Sequence, residues 1–285
     1  MSEKVSLIET KYPGLDRYLY VAEEAHEWIV LNGLGGARDV TLRKSHPGGR
    51  RGYWKCDAFH FEGFAEKVCS DLAQILGLPV PAACLTRFDG KVQVISLEPI
   101  GSIQTLALVR GDRKFGPDDP LRLKDYVDVF DQGLIAFNLW VDSWDVHEGN
   151  FVCNVVTGML WAIDYGNAFG HISLKDGQTQ EVKYSECLWL SGDPMDGPSL
   201  PREGRSDDPL LPLPSFMHQS QIDLNQMKLT ASEIQRIPDD VVWELVNRAA
   251  SVYNSPNLSE FAAVVGNALI SRKDKVSEWV NQRTA

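Results

Sequence analysis

Residues 138–170, NLWVDSWDVHEGNFVCNVVTGMLWAIDYGNAFG, carry most of the information in this chain. Asp145, His147 and Asn150 fall in one tight turn. Two short apolar runs follow, 151–156 and 159–163, joined at Thr157-Gly158, and Asp164-Tyr165-Gly166 comes next. The pattern predicts a loop, a hairpin and a second acidic loop, with Asn150 and Asp164 at the same end of the hairpin. Taken singly these signals are weak, because Asp and Asn favour turns for their local backbone bonding. An Asp-x-x-x-x-Asn and an Asp-aromatic-Gly at either end of one hairpin, behind an apolar helix, point instead to a phosphate site.

That layout is how kinases hold a base and magnesium over nucleotide phosphates. Upstream, the apolar run 123–141 reads as the helix that delivers the chain to Asp142, and Asp142 and Trp144 read as buttresses of the turn. Nearer the N-terminus, 28–31 reads as a strand, 32–36 (NGLGG) as a glycine turn with Gly35 and Gly36, and 39–44 as a second strand. Glycines there would let backbone approach phosphates, although a glycine-rich turn is often only a turn. A third strand over 52–56 carries Lys55. The helix 62–76 (EGFAEKVCSDLAQIL) has an apolar stripe of Phe64, Ala65, Val68, Cys69, Leu72, Ala73 and Leu76 with Glu66 close beside it, and Gly77, Pro79 and Pro81 end it. A strand lysine followed by a helix glutamate is the pair that orients ATP phosphates in kinases. Two strands, 82–88 and 92–97, flank Asp89-Gly90. The segment Glu98-Pro99-Ile100-Gly101 then reads as a hinge whose backbone, near Leu97–Ile100, would face an adenine.

Composition narrows the class. The 285 residues, 44% of them apolar, can bury a large core, and no apolar run is long enough to span a membrane. The N-terminus lacks a signal-peptide plan. Cys56, Cys69, Cys84, Cys153 and Cys187 have no paired spacing, so reduced buried thiols and a cytoplasmic location are expected. A formal net charge of −11 argues against nucleic-acid or anionic-membrane partners. Against that background Arg38, Arg43, Lys44, Arg50, Arg51 and Lys55 form a basic cluster that suits a local anion site. Residues 14–27 suggest a helix, 102–120 a linker, and 192–214 a long Pro-rich loop of functional or disordered type. Two closing helices, 231–253 and 257–281, are assigned to packing of the C-terminal half.

With Lys55, Glu66 followed by LGLPVP (76–81), Asp145-Val-His147-Glu-Gly-Asn150 and Asp164-Tyr-Gly166 in view, the chain resembles the HipA-like kinases, within the protein-kinase-like and phosphoinositide-kinase-like fold group. The resemblance covers about residues 28–170. It implies an α+β, two-lobed protein-kinase-like fold, with a small β-rich N-lobe and one key helix (1–100) and a mostly helical C-lobe (101–285). It also implies roles. Lys55 would contact phosphates and pair with Glu66, with Gly35, Gly36, Glu98 and Ile100 also on the nucleotide. Asp145 would accept or orient the attacking hydroxyl, His147 would support the loop or the developing charge, and Asn150 and Asp164 would hold the metal. The cofactors implied are ATP and Mg2+, with Mn2+ as a substitute, and the acceptor is a hydroxyl group.

No counterpart of the family's toxin-specific segments is readable, so a toxin role is not implied. The exposed acids of 192–214 favour a protein Ser/Thr acceptor over a rigid small-molecule pocket. A small-molecule or lipid kinase, a nucleotide-binding pseudokinase and an AMP transferase stay open as alternatives. Metal-only hydrolysis is disfavoured, because His147 has no second histidine at ligand spacing.

Overall fold

A computed structural model of the chain describes residues 7–13, 29–35, 41–45, 51–55, 61–88, 91–99, 103–105, 130–143, 146, 148–154, 156–169, 222–253 and 256–282. These belong to two compact units. The first comprises Met1–Ile100 with Ile237–Gly266, and the second Gly101–Arg236 with Asn267–Ala285.

The first unit is built on an antiparallel sheet of β1 (Ile29–Gly35), β2 (Thr41–Ser45), β3 (Arg51–Lys55), β4 (Ala83–Phe88) and β5 (Lys91–Leu97), in the order β1-β2-β3-β5-β4. The β2–β3 register pairs Thr41 with Lys55 and Lys44 with Gly52, and β3–β5 pairs Tyr53 with Ser96 and Lys55 with Val94. The 32–35 segment, expected as a turn, is part of β1, with a register irregularity between Val30 and Gly35. A strand accommodates glycines at such an irregularity, where the ladder is locally broken.

Helix α1 (Leu7–Lys11) precedes the sheet, and α2 (Phe61–Ile75) lies between β3 and β4. The apolar stripe of α2 is where the sequence puts it, but Gly63–Ala73 are buried on every side. The sheet strands β4 and β5 cover one flank, and helix α5 (Asp239–Tyr253) covers another. Burial of the polar side of α2 is tolerable because its groups are bonded. Lys67 Nζ donates to Asp71 Oδ1 (2.8 Å) and to the Ala83 carbonyl (3.0 Å), and Ser70 Oγ donates to Pro81 O and accepts from Ala83 N–H (2.8 Å each). The helix ends at Gly77, whose φ of 67° a residue with a Cβ rarely adopts.

Among the described residues the C-terminal helices are three: α4 (Leu224–Arg236), α5, and α6 (Pro256–Gln282). The single helix expected over 231–253 is broken at Pro238, which has no amide proton to donate and disfavours helix at Ile237. Pro238 O accepts from Val241 and Val242 as α5 restarts, with Asp239 and Asp240 at its positive end. Ile237–Gly266 belong with the N-terminal unit, although they lie within the 101–285 stretch expected as the C-lobe. The contacts show why. Phe64 and Phe261 meet edge to face at 5.8 Å, Arg87 Nη2 donates to Val252 O, and Leu7 N–H donates to Glu244 Oε2. Where α5 and α6 cross, a Cβ on Gly266 would stand 2.5 Å from the Trp243 ring.

The second unit holds α3 (Gly133–Val141), all nine residues buried, and an antiparallel sheet of β6 (Ile103–Thr105), β7 (Phe151–Asn154) and β8 (Leu160–Ala162), with β7 central. β6 was expected to be linker. α3 starts at Gly133, because Asp131 Oδ1 accepts the Gly133 N–H at 2.9 Å and turns the chain there. Asp131 Oδ1 also accepts from Gln226 Nε2, Gln226 Oε1 accepts Gln132 N–H, and Gln132 Oε1 accepts Asp223 N–H, which fastens α4 to the start of α3. Among the described residues no helix is long and apolar enough to cross a membrane. The helix suggested over 14–27, the helical run before residue 130 and the loop 192–214 lie outside the described residues.

Candidate functional site

The β7–β8 hairpin pairs Phe151 with Ala162 and Cys153 with Leu160. Its turn is set by Asn154, whose Oδ1 accepts the amides of Val156 and Thr157, and by Gly158 at φ 74°. At the other end the ladder runs one pair further, with Ile163 N–H donating to Asn150 O at 2.9 Å. Asn150, which closes the short 3-10 turn Glu148–Asn150, and Asp164 therefore lie at one end of the hairpin. Asn150 is buried, and Asp164 is partly exposed.

Asp164 adopts φ 66° and ψ 58°, a left-handed conformation that leads into the 3-10 turn Tyr165–Asn167. Asp142 (φ 54°) and Phe169 (φ 64°) are the other residues with a Cβ at positive φ among those described. All three flank the hairpin, and such conformations persist only where surroundings hold them. The restraints are visible. Tyr165 Oη donates to Asn138 Oδ1 at 2.9 Å, its ring meets Phe137 edge to face, and Phe169 N–H donates to Val141 O.

In the first unit Glu66 is 5% exposed, and its Oε1 accepts the Ser96 hydroxyl at 2.7 Å. The backbone of Lys55 stands opposite Val94, two residues from Ser96; its side chain is outside what the structure describes. Burial, then the Glu66 charge, pushes the Cys69 thiol well above its usual range. Glu98 accepts from Tyr53 Oη at 3.3 Å and pairs with Arg51 Nε at 3.2 Å. Along the stretch expected to face an adenine, the Leu97 and Glu98 amides donate to Ala82 O and Arg51 O inside the sheet. Gly35 is a strand residue opposite Leu42. Gly36, Ile100, Asp145 and His147 lie outside the described residues.

Asn150 offers an amide oxygen and Asp164 a carboxylate, both hard oxygen donors. Magnesium takes one or two such protein groups together with phosphate oxygens rather than a full protein cage. The donor set fits that ion. Sequence reasoning missed Ser96 on Glu66, the buried Lys67–Asp71 pair, and Arg272, which reaches the end of α3. Lys67 and Asp71 are spaced i,i+4, which reads as a surface pair, and nothing around Arg272 signals burial.

No family model matches the chain, and no curated protein matches its sequence. Solved structures do. A chain of the Shewanella oneidensis MR-1 HipA, HipB and operator DNA toxin–antitoxin complex aligns over 89% of this chain and 66% of its own, at 12% identity and TM-score 0.44. The FAT and kinase domain of CtTel1 aligns over 85% and 21%, at 12% identity and TM-score 0.42. The Helicobacter pylori proinflammatory kinase CtkA aligns over 92% of this chain and 99% of its own, at 14% identity and TM-score 0.62. The likeness to CtkA establishes the fold: α+β and protein-kinase-like, as the HipA-like resemblance implies.

Proposed function

We propose that this chain is an ATP- and magnesium-dependent phosphotransferase acting on a hydroxyl, with a protein Ser or Thr side chain as acceptor. The observation that carries the reading is the hairpin end: Asn150 and Asp164 one ladder pair apart, with Asp164 held left-handed, on a kinase fold. Bound magnesium would neutralise charge on the phosphate oxygens and orient the transferring group. Asn150 and Asp164 are the residues to hold it, and Lys55 and Glu66 the pair to position phosphate. Asp145 is assigned to the acceptor hydroxyl, taking or directing its proton. His147 is assigned to support of that loop. The protein acceptor rests on the acidic 192–214 segment, which suits a basic polypeptide. A reducing compartment such as the cytosol suits the buried thiols of Cys69, Cys84 and Cys153.

The test is to incubate the chain with γ-labelled and, separately, α-labelled ATP, and with protein and small-molecule hydroxyl acceptors. Label from the γ-position alone, on Ser or Thr of a protein, is the expected result. Label from the α-position would make the chain an AMP transferase. Transfer to a small hydroxyl compound alone would replace the protein acceptor.

A further inference from the structure

We infer that Arg272 is a positioning residue for phosphate transfer, acting through the end of α3; the inference rests on the function proposed above. A helix leaves its last carbonyls without intrahelical partners. In α3 those of Leu139, Trp140 and Val141 are all taken. Arg272, on the part of α6 that belongs to the same unit, donates from Nη2 to Leu139 O at 2.6 Å and from Nε to Trp140 O at 3.1 Å. Phe169 N–H, five residues beyond Asp164, donates to Val141 O at 2.9 Å. The guanidinium also lies 3.7 Å from the Asp142 carboxylate, and both side chains are almost fully buried. One turn earlier on α6, Leu269 O accepts the Trp140 indole N–H at 2.7 Å.

Asp142 is where the chain leaves α3, in the left-handed conformation, with the amides of Asp142 and Ser143 both directed at Asn138 O. From there it runs to Asn150. The same helix end receives the segment after Asp164 through Tyr165 on Asn138 and Phe169 on Val141. One buried cation thus fixes the point from which both acidic segments are hung. A planar fork serves this task as an ammonium cannot, because it meets two carbonyls and a carboxylate with directed donors. Packing alone would need no charge here. Without the guanidinium, Asp142 is left as a buried carboxylate at the negative end of a helix.

The experiment compares wild type with Arg272→Lys, Arg272→Gly and Trp140→Phe, well below their melting temperatures. Steady-state turnover of MgATP is measured together with amide exchange at Asp142, Ser143 and Phe169. We expect kcat of Arg272→Lys to fall by about 10- to 100-fold, the scale of a misplaced reacting group, with KM for MgATP within about threefold. Guanidinium added to Arg272→Gly should restore kcat where methylammonium does not. Exchange should quicken at the three named amides and stay unchanged in β4 and β5. Trp140→Phe loses a buried bond between the same helices and should melt lower with kcat intact. An active wild type whose folded Arg272 variants keep wild-type kcat overturns this inference alone, as does exchange that quickens evenly through the chain. Should the Arg272 variants not fold, a fall in kcat for Trp140→Phe equal to its fall in folded fraction supports the assignment, and a larger fall overturns it. A wild type without phosphate transfer overturns the function itself, and this inference with it.

Discussion

At Asp164 the backbone and the side chain make separable contributions. Its φ of 66° is tolerated by Asp better than by most residues, yet it still costs about 1 kcal/mol or more. Glycine would relieve that strain and remove the carboxylate. Asp164→Gly should therefore melt at or above the wild-type temperature while losing magnesium-dependent ATP binding; loss of stability with binding kept would assign the residue to the fold instead. Asp145→Ala should abolish turnover and keep ATP affinity, since its assigned partner is the acceptor hydroxyl. Kinetics and titration on the two variants separate the roles, and undiminished turnover in Asp145→Ala would falsify the base.

Asp131 gives a pH signature. Burial raises its pKa, and the bond from Gly133 N–H offsets part of that rise. A carboxyl with a raised folded pKa favours the fold most when protonated. Its contribution is thus fully present below the ordinary carboxylate range and is lost as pH climbs through the raised value. Asn keeps an oxygen for both Gly133 and Gln226 and carries no charge. Asp131→Asn should raise the melting temperature at neutral pH and leave it level at acid pH, which thermal melts across that range would check.

Among the elements, α2 departs furthest from its sequence pattern. Its stripe of Phe64, Val68 and Leu72 was legible, but the burial of Lys67 and Asp71 was not, because their i,i+4 spacing belongs equally to an exposed ion pair. Tertiary context settles the matter, because Lys67 also reaches the Ala83 carbonyl at the start of β4. Lys67→Met should destabilise the fold by about 3–5 kcal/mol by stranding Asp71. Lys67→Met with Asp71→Leu should cost less than the single change, although Ala83 O still loses its donor. Denaturant unfolding of Lys67→Met, Asp71→Leu and the double variant measures the coupling, and additive losses would contradict it. The hairpin was the better-read element, since two short apolar runs and Thr157-Gly158 specify it locally. Pro238 was an available signal for the break between α4 and α5, and the helical periodicity on both sides masked it.

For the whole molecule, element order was enough to place the five-stranded sheet within the first hundred residues, but membership of the C-terminal helices was not legible. Amphipathic helices advertise that they pack, not against what, so Ile237–Gly266 could be read onto either unit. Arg272 was illegible for the same reason, as its acceptors are backbone carbonyls far away in sequence. The acidic chain, with net charge −11, has every reason to bind a nucleotide only with a cation to bridge the charges. Calorimetric titration of the wild-type chain with ATP, with and without magnesium, tests that most directly. Binding that requires magnesium is expected; equal affinity in both conditions, or no binding in either, would rule out a magnesium-bridged nucleotide site.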